Sequence, residues 1–439
     1  ELLQKIDQLR VQQIETDINE IEHLIYKETG YTFDQIKQLA KEFKEIAKDF
    51  YDLGLTYSIL EDYEKALENY NKATENNPNF LDAWISKGIA FFNLGRFDEA
   101  LESADRAIQI DQQNAAAWNN KGIALFNLAR YEEAIKAYNK VIEINPNIQI
   151  AWVNKAVALA KLDRYEEALE ISDKAIAILP PISDIWYNKG NFLNNLSRYE
   201  EAIEAYNMAT SIDYQRTSAW NNKGVALFNL ARYEEAIEAY DIAIEIDPQK
   251  IKAWSNKGNT LYELGRYEEA LEAYGKVIDI NPQDAIAWYV WYNRGDVLSN
   301  LRNYELAIES YDKSININPQ YADAWNNKGI ALFNLARYDE ALEAYNKSIE
   351  INPQSTKSWN NKGNALRKLG RYVEALEALD RAISIDYQNA AAWNNKGITL
   401  SVLGRYEEAL EALDKAIDIN PQFVEALINK ENVLKKLYK

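Results

Sequence analysis

Apolar residues recur along this chain in two successive helical stripes, and the stretch Ala219 to Lys250 shows both. At about 100° per residue, Trp220, Gly224, Leu227 and Leu230 fall on one side of a first helix and form its core side. Asn221, Asn222, Val225 and Asn229 fall opposite, with Phe228 at the flank, so a second, mostly amide face runs along the same helix. Gly224 lets another backbone approach where Trp220 and Leu227 already fill the space. Ala231 and Arg232 leave the helix. A second helix starts near Tyr233, because Ala236, Ile237, Tyr240, Ala243 and Ile244 keep the spacing of an amphipathic stripe. Glu234, Glu235, Glu238, Asp241 and Glu245 take its other side, and the first two sit where unpaired N–H groups favour negative charge. Asp247-Pro248 stops it, since Pro248 has no N–H and disfavours a helical Asp247. The stretch is a helical hairpin that buries too little surface to stand alone. Stacked copies join the stripes into one core.

The copies are present. Trp84, Trp118, Trp152, Trp186, Trp220, Trp254 and Trp288 stand 34 residues apart, and Phe50 fills the same place one period earlier. Gly54, Gly88, Gly122, Gly190, Gly224 and Gly258 follow four residues behind their aromatics, with Ala156 as the substitute. Trp325, Trp359 and Trp393 count back to Trp291, so three residues are inserted at Trp288-Tyr289-Val290-Trp291. The insertion adds nearly one helical turn to the start of that hairpin; it is read either as a longer helix or as a bend with an extra aromatic anchor. Leu427 takes the last Trp place, and Ala426 to Lys439 makes a closing helix whose Asn429, Lys430, Asn432, Lys435 and Lys436 give the stack a polar end. Upstream, Val11, Ile14, Ile18, Ile21 and Ile25 form a helical stripe ended by Gly30, and Thr32 with Gln35 makes a capping box. The expected division is an N-terminal helical segment over 1–46, repeats over 47–423 and the closing helix over 424–439.

This pattern of Trp, Gly, Tyr, Ala and Pro at fixed offsets in a 34-residue period resembles the tetratricopeptide repeat family, from about residue 47 to the end. The resemblance implies an all-α fold, a right-handed superhelix of about eleven helical hairpins plus a C-terminal capping helix, with the first helices lining a concave inside. One departure is systematic: where the family has leucine three after the Trp, this chain has Lys87, Lys121, Lys155, Lys189, Lys223, Lys257, Lys328, Lys362 and Lys396. Their stems are expected to be buried with the ammonium reaching a neighbouring carboxylate.

Two residues after the aromatic stand Asn120, Asn154, Asn188, Asn222, Asn256, Asn293, Asn327, Asn361, Asn395 and Asn429. Asparagine is a modest helix former, so propensity does not account for a row of them. An amide donates and accepts at once, so a ladder of amides suits the backbone of an extended polypeptide. With Asn119, Asn221 and Asn326 one position earlier, these are the expected groove residues. The row resembles the asparagine-lined repeats of the O-linked N-acetylglucosamine transferase, which hold substrate polypeptide, without that enzyme's catalytic domain. Against this stands duplication: the segments at Trp118, Trp220 and Trp325 are nearly identical, and duplication copies a residue whether or not it is used. Ile123, Phe126, Val225, Phe228, Ile330 and Phe333 offer apolar pockets beside the row or pack between repeats. The family's lysine clamp for a terminal carboxylate is not matched, because Ile85, Asn119, Val153, Tyr187 and Asn221 occupy the corresponding places.

Composition narrows the chemistry. There is no cysteine, which removes disulfides and thiolate sites, and His23 is the single histidine, in the N-terminal stripe away from the repeats. No residue set for a reaction, cofactor or metal emerges. A net charge of −19 disfavours nucleic acid, and no apolar run reaches membrane-spanning length. The expected partner is a protein or peptide segment, and the expected location is cytoplasmic. The absence of an initiator methionine fits a segment of a longer protein, so a recruiting or sensing arm of a larger enzyme, or an architectural rod that self-assembles, stand as alternatives to a peptide-binding scaffold. Trp220→Ala is expected to cost about 3–5 kcal/mol, as for an emptied core site.

Overall fold

A computed structural model describes residues 26, 27, 30–282 and 286–438; the stripe from Val11 to Ile25 and His23 lie outside the described residues. Described residues fall into helices, paired as eleven consecutive hairpins and a closing helix Val424–Leu437. Two compact units are present, Glu1–Ile212 and Asp213–Lys439. Within each, leading helices of successive hairpins touch one another and trailing helices do not, so each stack curves with its leading helices inside.

The first hairpin opens with a helix twice the usual length, Phe33–Ile59, where Thr32 and Gln35 form the expected reciprocal capping box. Gly30 takes a left-handed conformation behind Tyr26, as a helix terminator does. Leading helices such as Thr217–Asn229 give way to trailing helices such as Tyr233–Ile246 through one left-handed residue. That residue is glycine at Gly95, Gly265, Gly370 and Gly404, and Ala129, Ala231 and Ala336 adopt the same conformation elsewhere.

The core sits between the two helices of each hairpin, centred on a tyrosine in seven of the eleven and on Leu379 and Leu413 in two others. Tyr70, Tyr138, Tyr206, Tyr240, Tyr274, Tyr311 and Tyr345 are among the largest fully buried side chains, and each lies against the glycine sixteen residues before it. Trp152 is buried, but the other repeat tryptophans are only half-buried. They lie over the connection between hairpins: Trp220 Nε1 donates to the Tyr214 carbonyl at 3.0 Å, and Trp254 Nε1 to that of Pro248 at 3.0 Å. The helical wheel correctly groups Trp220 with Leu227, yet only Leu227 and Gly224 reach the interior.

The lysines behave as expected where the preceding trailing helix offers an aspartate. Lys121 reaches Asp105 at 2.7 Å, Lys189 Asp173 at 2.5 Å, Lys257 Asp241 at 2.5 Å, Lys328 Asp312 at 2.6 Å and Lys396 Asp380 at 2.6 Å. Their stems cross the indole of their own repeat, as Lys257 does 5.7 Å from the Trp254 ring centre. Opposite Lys87, Lys155 and Lys362 the same place holds Asn71, Asn139 and Asn346, and burial lowers the pKa of these three lysines.

One expectation is corrected. The insertion at Trp288 does not add a helical turn: the helix Ala287–Asn300 is 14 residues long against 13 in Thr217–Asn229, and the remaining inserted residues lengthen the connection before it. The closing helix carries the expected polar side, with Asn432, Lys435 and Lys436 exposed. Asn429 donates back to Asn394 and Lys430 pairs with Asp414, while Val424, Leu427 and Ile428 stay exposed.

Candidate functional site

The asparagines lie on the inner, leading-helix side of each unit, half-buried and in register. What the wheel could not show is that they bond to one another. In the second unit Asn256 Nδ2 donates to Asn221 Oδ1 at 3.0 Å, 35 residues earlier, and Asn221 donates to Asn222 Oδ1 at 3.0 Å. The motif recurs with Asn361 to Asn326 at 3.1 Å and Asn326 to Asn327 at 3.1 Å, and with Asn395 to Asn360 at 2.9 Å. Asn293 donates instead to Asn259 Oδ1 at 2.9 Å. The row is therefore a zipper joining successive leading helices.

Placement within the zipper differs by position. Asn221 and Asn326 are buried between hairpins and act as its acceptors, so they lie behind the open face rather than on it. Asn256, Asn361 and Asn395 are half-buried, and each commits one amide N–H to the preceding hairpin. In the first unit the pattern is looser: Asn120 donates to the Ile85 carbonyl at 3.4 Å, and Asn154 is half-buried. Asn119 Oδ1 is buried without a hydrogen-bond partner, and Asn188 is half-buried. The phenylalanines beside the row pack on tyrosines of their own hairpins, Phe126 against Tyr131 at 5.3 Å and Phe228 against Tyr233 at 5.4 Å between ring centres, and Phe228 also faces the next repeat.

One stretch of the row carries charge, which sequence reasoning missed. Asn327 Nδ2 donates to Asp296 Oδ1 at 2.9 Å and to the Tyr292 hydroxyl at 3.0 Å, and Tyr311 donates to the same carboxylate oxygen at 2.7 Å. The inserted segment folds around this group: Trp288 and Tyr292 both pack on Tyr321 with ring centres 4.9 Å apart. Burial pushes the Asp296 carboxyl up, against the pull of hydrogen bonds from Tyr311, Asn327 and Tyr292. An acid whose pKa is raised in the folded state binds its proton more tightly there than when unfolded. Ionised Asp296 therefore costs stability at neutral pH. That cost fades as pH falls through the raised value and is gone below the ordinary aspartate value of about 3.9. Asp296→Asn is expected to raise the urea midpoint of unfolding at pH 7, by a margin that shrinks on acidification. A pH-independent difference between variant and parent would contradict this.

Elsewhere the outer face is a solvated ion-pair surface, with Arg232 bonding Glu235 at 2.6 Å and Arg266 bridging Glu269 and Glu234. Such exposed pairs contribute little individually. Among the described residues no group of acidic or histidine side chains is placed to hold a metal, and no helix is long and apolar enough to cross a membrane.

Family models described as tetratricopeptide repeat match most of the chain. One covers 115–148, 183–213, 217–250, 251–284, 288–321 and 322–355, a second 51–115 and 360–422, and a third 137–170. No curated protein matches. Among solved structures, the chain is similar to YrrB, described as a TPR protein with an unusual peptide-binding site, at 29% identity over 44% of this chain and 99% of that one, TM-score 0.38. It is similar to the MamA protein at 24% identity over 40% of this chain and 93% of that one, TM-score 0.37. It is also similar to the APC/C hetero-tetramer Cut9-Hcn1 at 13% identity over 95% of this chain and 99% of that one, TM-score 0.44.

Proposed function

The chain belongs to the tetratricopeptide repeat family, whose members act as protein–protein interaction scaffolds, and from that premise we propose that its leading helices bind an extended polypeptide by its backbone. The supporting observation is how Asn256, Asn361 and Asn395 are held. Each is pinned through one amide N–H to the preceding hairpin, and each is half-buried with a second N–H and a carbonyl oxygen on the same side chain. A pinned amide has little rotamer freedom left to lose on binding, which favours recognition. A peptide backbone offers alternating donors and acceptors to such a row whatever its side chains are. The reading matches the asparagine-lined resemblance drawn from the sequence, and it assigns the chain no catalytic role.

The zipper makes a simple asparagine deletion ambiguous, because Asn→Ala also removes a joint between hairpins. The test therefore changes both partners. Fluorescein-labelled Gly-Ser-rich dodecapeptides are expected to bind the parent and to lose about a hundredfold in affinity to the Asn256→Ala, Asn361→Ala, Asn395→Ala variant, three hydrogen bonds at about 1 kcal/mol each. The same peptides methylated at alternate backbone nitrogens are expected to lose binding to the unaltered parent. Equal binding of methylated and unmethylated peptides would overturn the proposal.

A further inference from the structure

Because the chain repeats, each hairpin is a background against which the others can be compared. Along the leading helices, the place of Asp296 holds Ile123, Val157, Val225, Ile330 or Asn364 in other repeats, and the place of Glu263 holds Asn127, Asn195, Asn229 or Asn334. Tyr262 stands where most repeats have Phe or a smaller residue, and Tyr289 exists only through the insertion. These four departures, on the two successive leading helices Ile251–Glu263 and Ala287–Asn300, meet in one place. Tyr262, Glu263, Tyr289 and Asp296, with Phe228 and Tyr274, line a cavity of about 220 Å³. A second cavity of about 210 Å³ opens on the other side of Tyr262 and Asp296, toward Ser299 and Ile330.

The lining has two carboxylates, four aromatic rings and no basic residue. Its volume lies below the range of about 300–1,000 Å³ typical of small-molecule sites and suits a single side chain. Aromatic faces attract cations, a planar guanidinium stacks on them, and a carboxylate receives its N–H groups in pairs. The Tyr262 phenol is pushed up by burial and further by the nearby charges of Asp296 and Glu263, which places the ring beside both acids. Asp296 is retained at a position where other hairpins use an apolar residue or an amide, although its burial opposes its ionisation. Besides taking hydrogen bonds from Tyr311 and Asn327, Asp296 brings a carboxylate into a cavity that already holds Glu263 and four aromatic rings. We propose that this cavity is a subsite for one basic side chain, arginine in preference to lysine, of the polypeptide bound along the leading helices; it rests on the backbone-binding reading above. It gives a groove that reads backbone without regard to sequence one position that reads charge.

The test uses the full chain and three labelled peptides that differ at one central residue within a Gly-Ser background: arginine, lysine or citrulline. The arginine peptide is expected to bind at least tenfold more tightly than the citrulline peptide, with lysine between them. That preference is expected to vanish in Glu263→Gln and in Asp296→Asn, whose melting temperatures serve as controls for folding. Equal binding of arginine and citrulline peptides would overturn the subsite and leave the backbone reading in place. If none of the three binds, blocked arginine, N-acetyl-arginine methylamide, is titrated alone by saturation-transfer NMR against its citrulline analogue. Selective saturation of the arginine compound, lost in the two variants, would retain the subsite and remove the backbone reading, and equal response would remove both.

Discussion

Gly224→Ala is expected to destabilise the second unit by about 2–3 kcal/mol, although alanine is the better helix former. An added Cβ would stand 2.8 Å from Cδ1 and Cζ of Tyr240, a ring that is 1% exposed and has nowhere to retreat. The chain holds its own control. Ala156 is the one alanine in this glycine register, and the residue sixteen positions later is Ser172, not tyrosine. At Gly88, where Ala104 replaces the tyrosine, an added Cβ would meet nothing nearer than 3.5 Å. Gly88→Ala is thus expected to stabilise by about 0.5–1 kcal/mol, the ordinary gain of alanine over glycine within a helix. Urea unfolding of both variants, and of Gly224→Ala combined with Tyr240→Ser, checks the pairing. A coupling energy near zero in that cycle would show that the clash is absorbed elsewhere.

Tyr240→Ala is expected to cost about 3–5 kcal/mol and Trp220→Ala distinctly less, about 2 kcal/mol, the reverse of the order that side-chain size in the repeat pattern suggests. Tyr240 is 1% exposed at the centre of its hairpin, so its loss empties a core site. Trp220 is half-buried against Ala243 and Ile244, with its indole N–H on the Tyr214 carbonyl. Since hairpins share stability with their neighbours, hydrogen exchange after Tyr240→Ala is expected to rise in the flanking hairpins as well. Exchange confined to Tyr233–Ile246, or a larger loss for the tryptophan variant, would contradict this.

These residues also mark how far the sequence could be read. Period, hairpins and caps were legible, because each depends on spacing along one helix or on short-range backbone chemistry; which lysines reach a carboxylate was not, since that depends on whether the preceding hairpin offers aspartate or asparagine. The wheel failed where the deciding neighbour lies on another hairpin. It placed Trp220 inside because the stripe is apolar, when the glycine beneath that stripe is reserved for Tyr240. It placed Asn221 and Asn326 on the open face, when the next hairpin's asparagine turns them into buried acceptors. The insertion was visible as a change of register, but whether its residues extend the helix or the connection depends on how Trp288 and Tyr292 pack on Tyr321. The charged cavity had a signal that went unread. Glu263 and Asp296 break the repeat within two successive helices, and departures from a repeat carry information that the repeat itself does not.

The lysine links have a mechanical corollary. Asp105, Asp173, Asp241, Asp312 and Asp380 clamp the next hairpin, whereas Asn71, Asn139 and Asn346 leave a partly desolvated ammonium facing an amide. The two kinds alternate from Lys87 to Lys189 and again from Lys328 to Lys396, so hairpins there are linked in couples with a softer seam between one couple and the next, while Lys430–Asp414 adds a further link to the closing helix. A stack built this way yields by shedding couples rather than single hairpins, and its natural modulus of truncation is twice the repeat. Shortened versions should be cut at the seams before Lys87, Lys155 or Lys362, where each end stays whole.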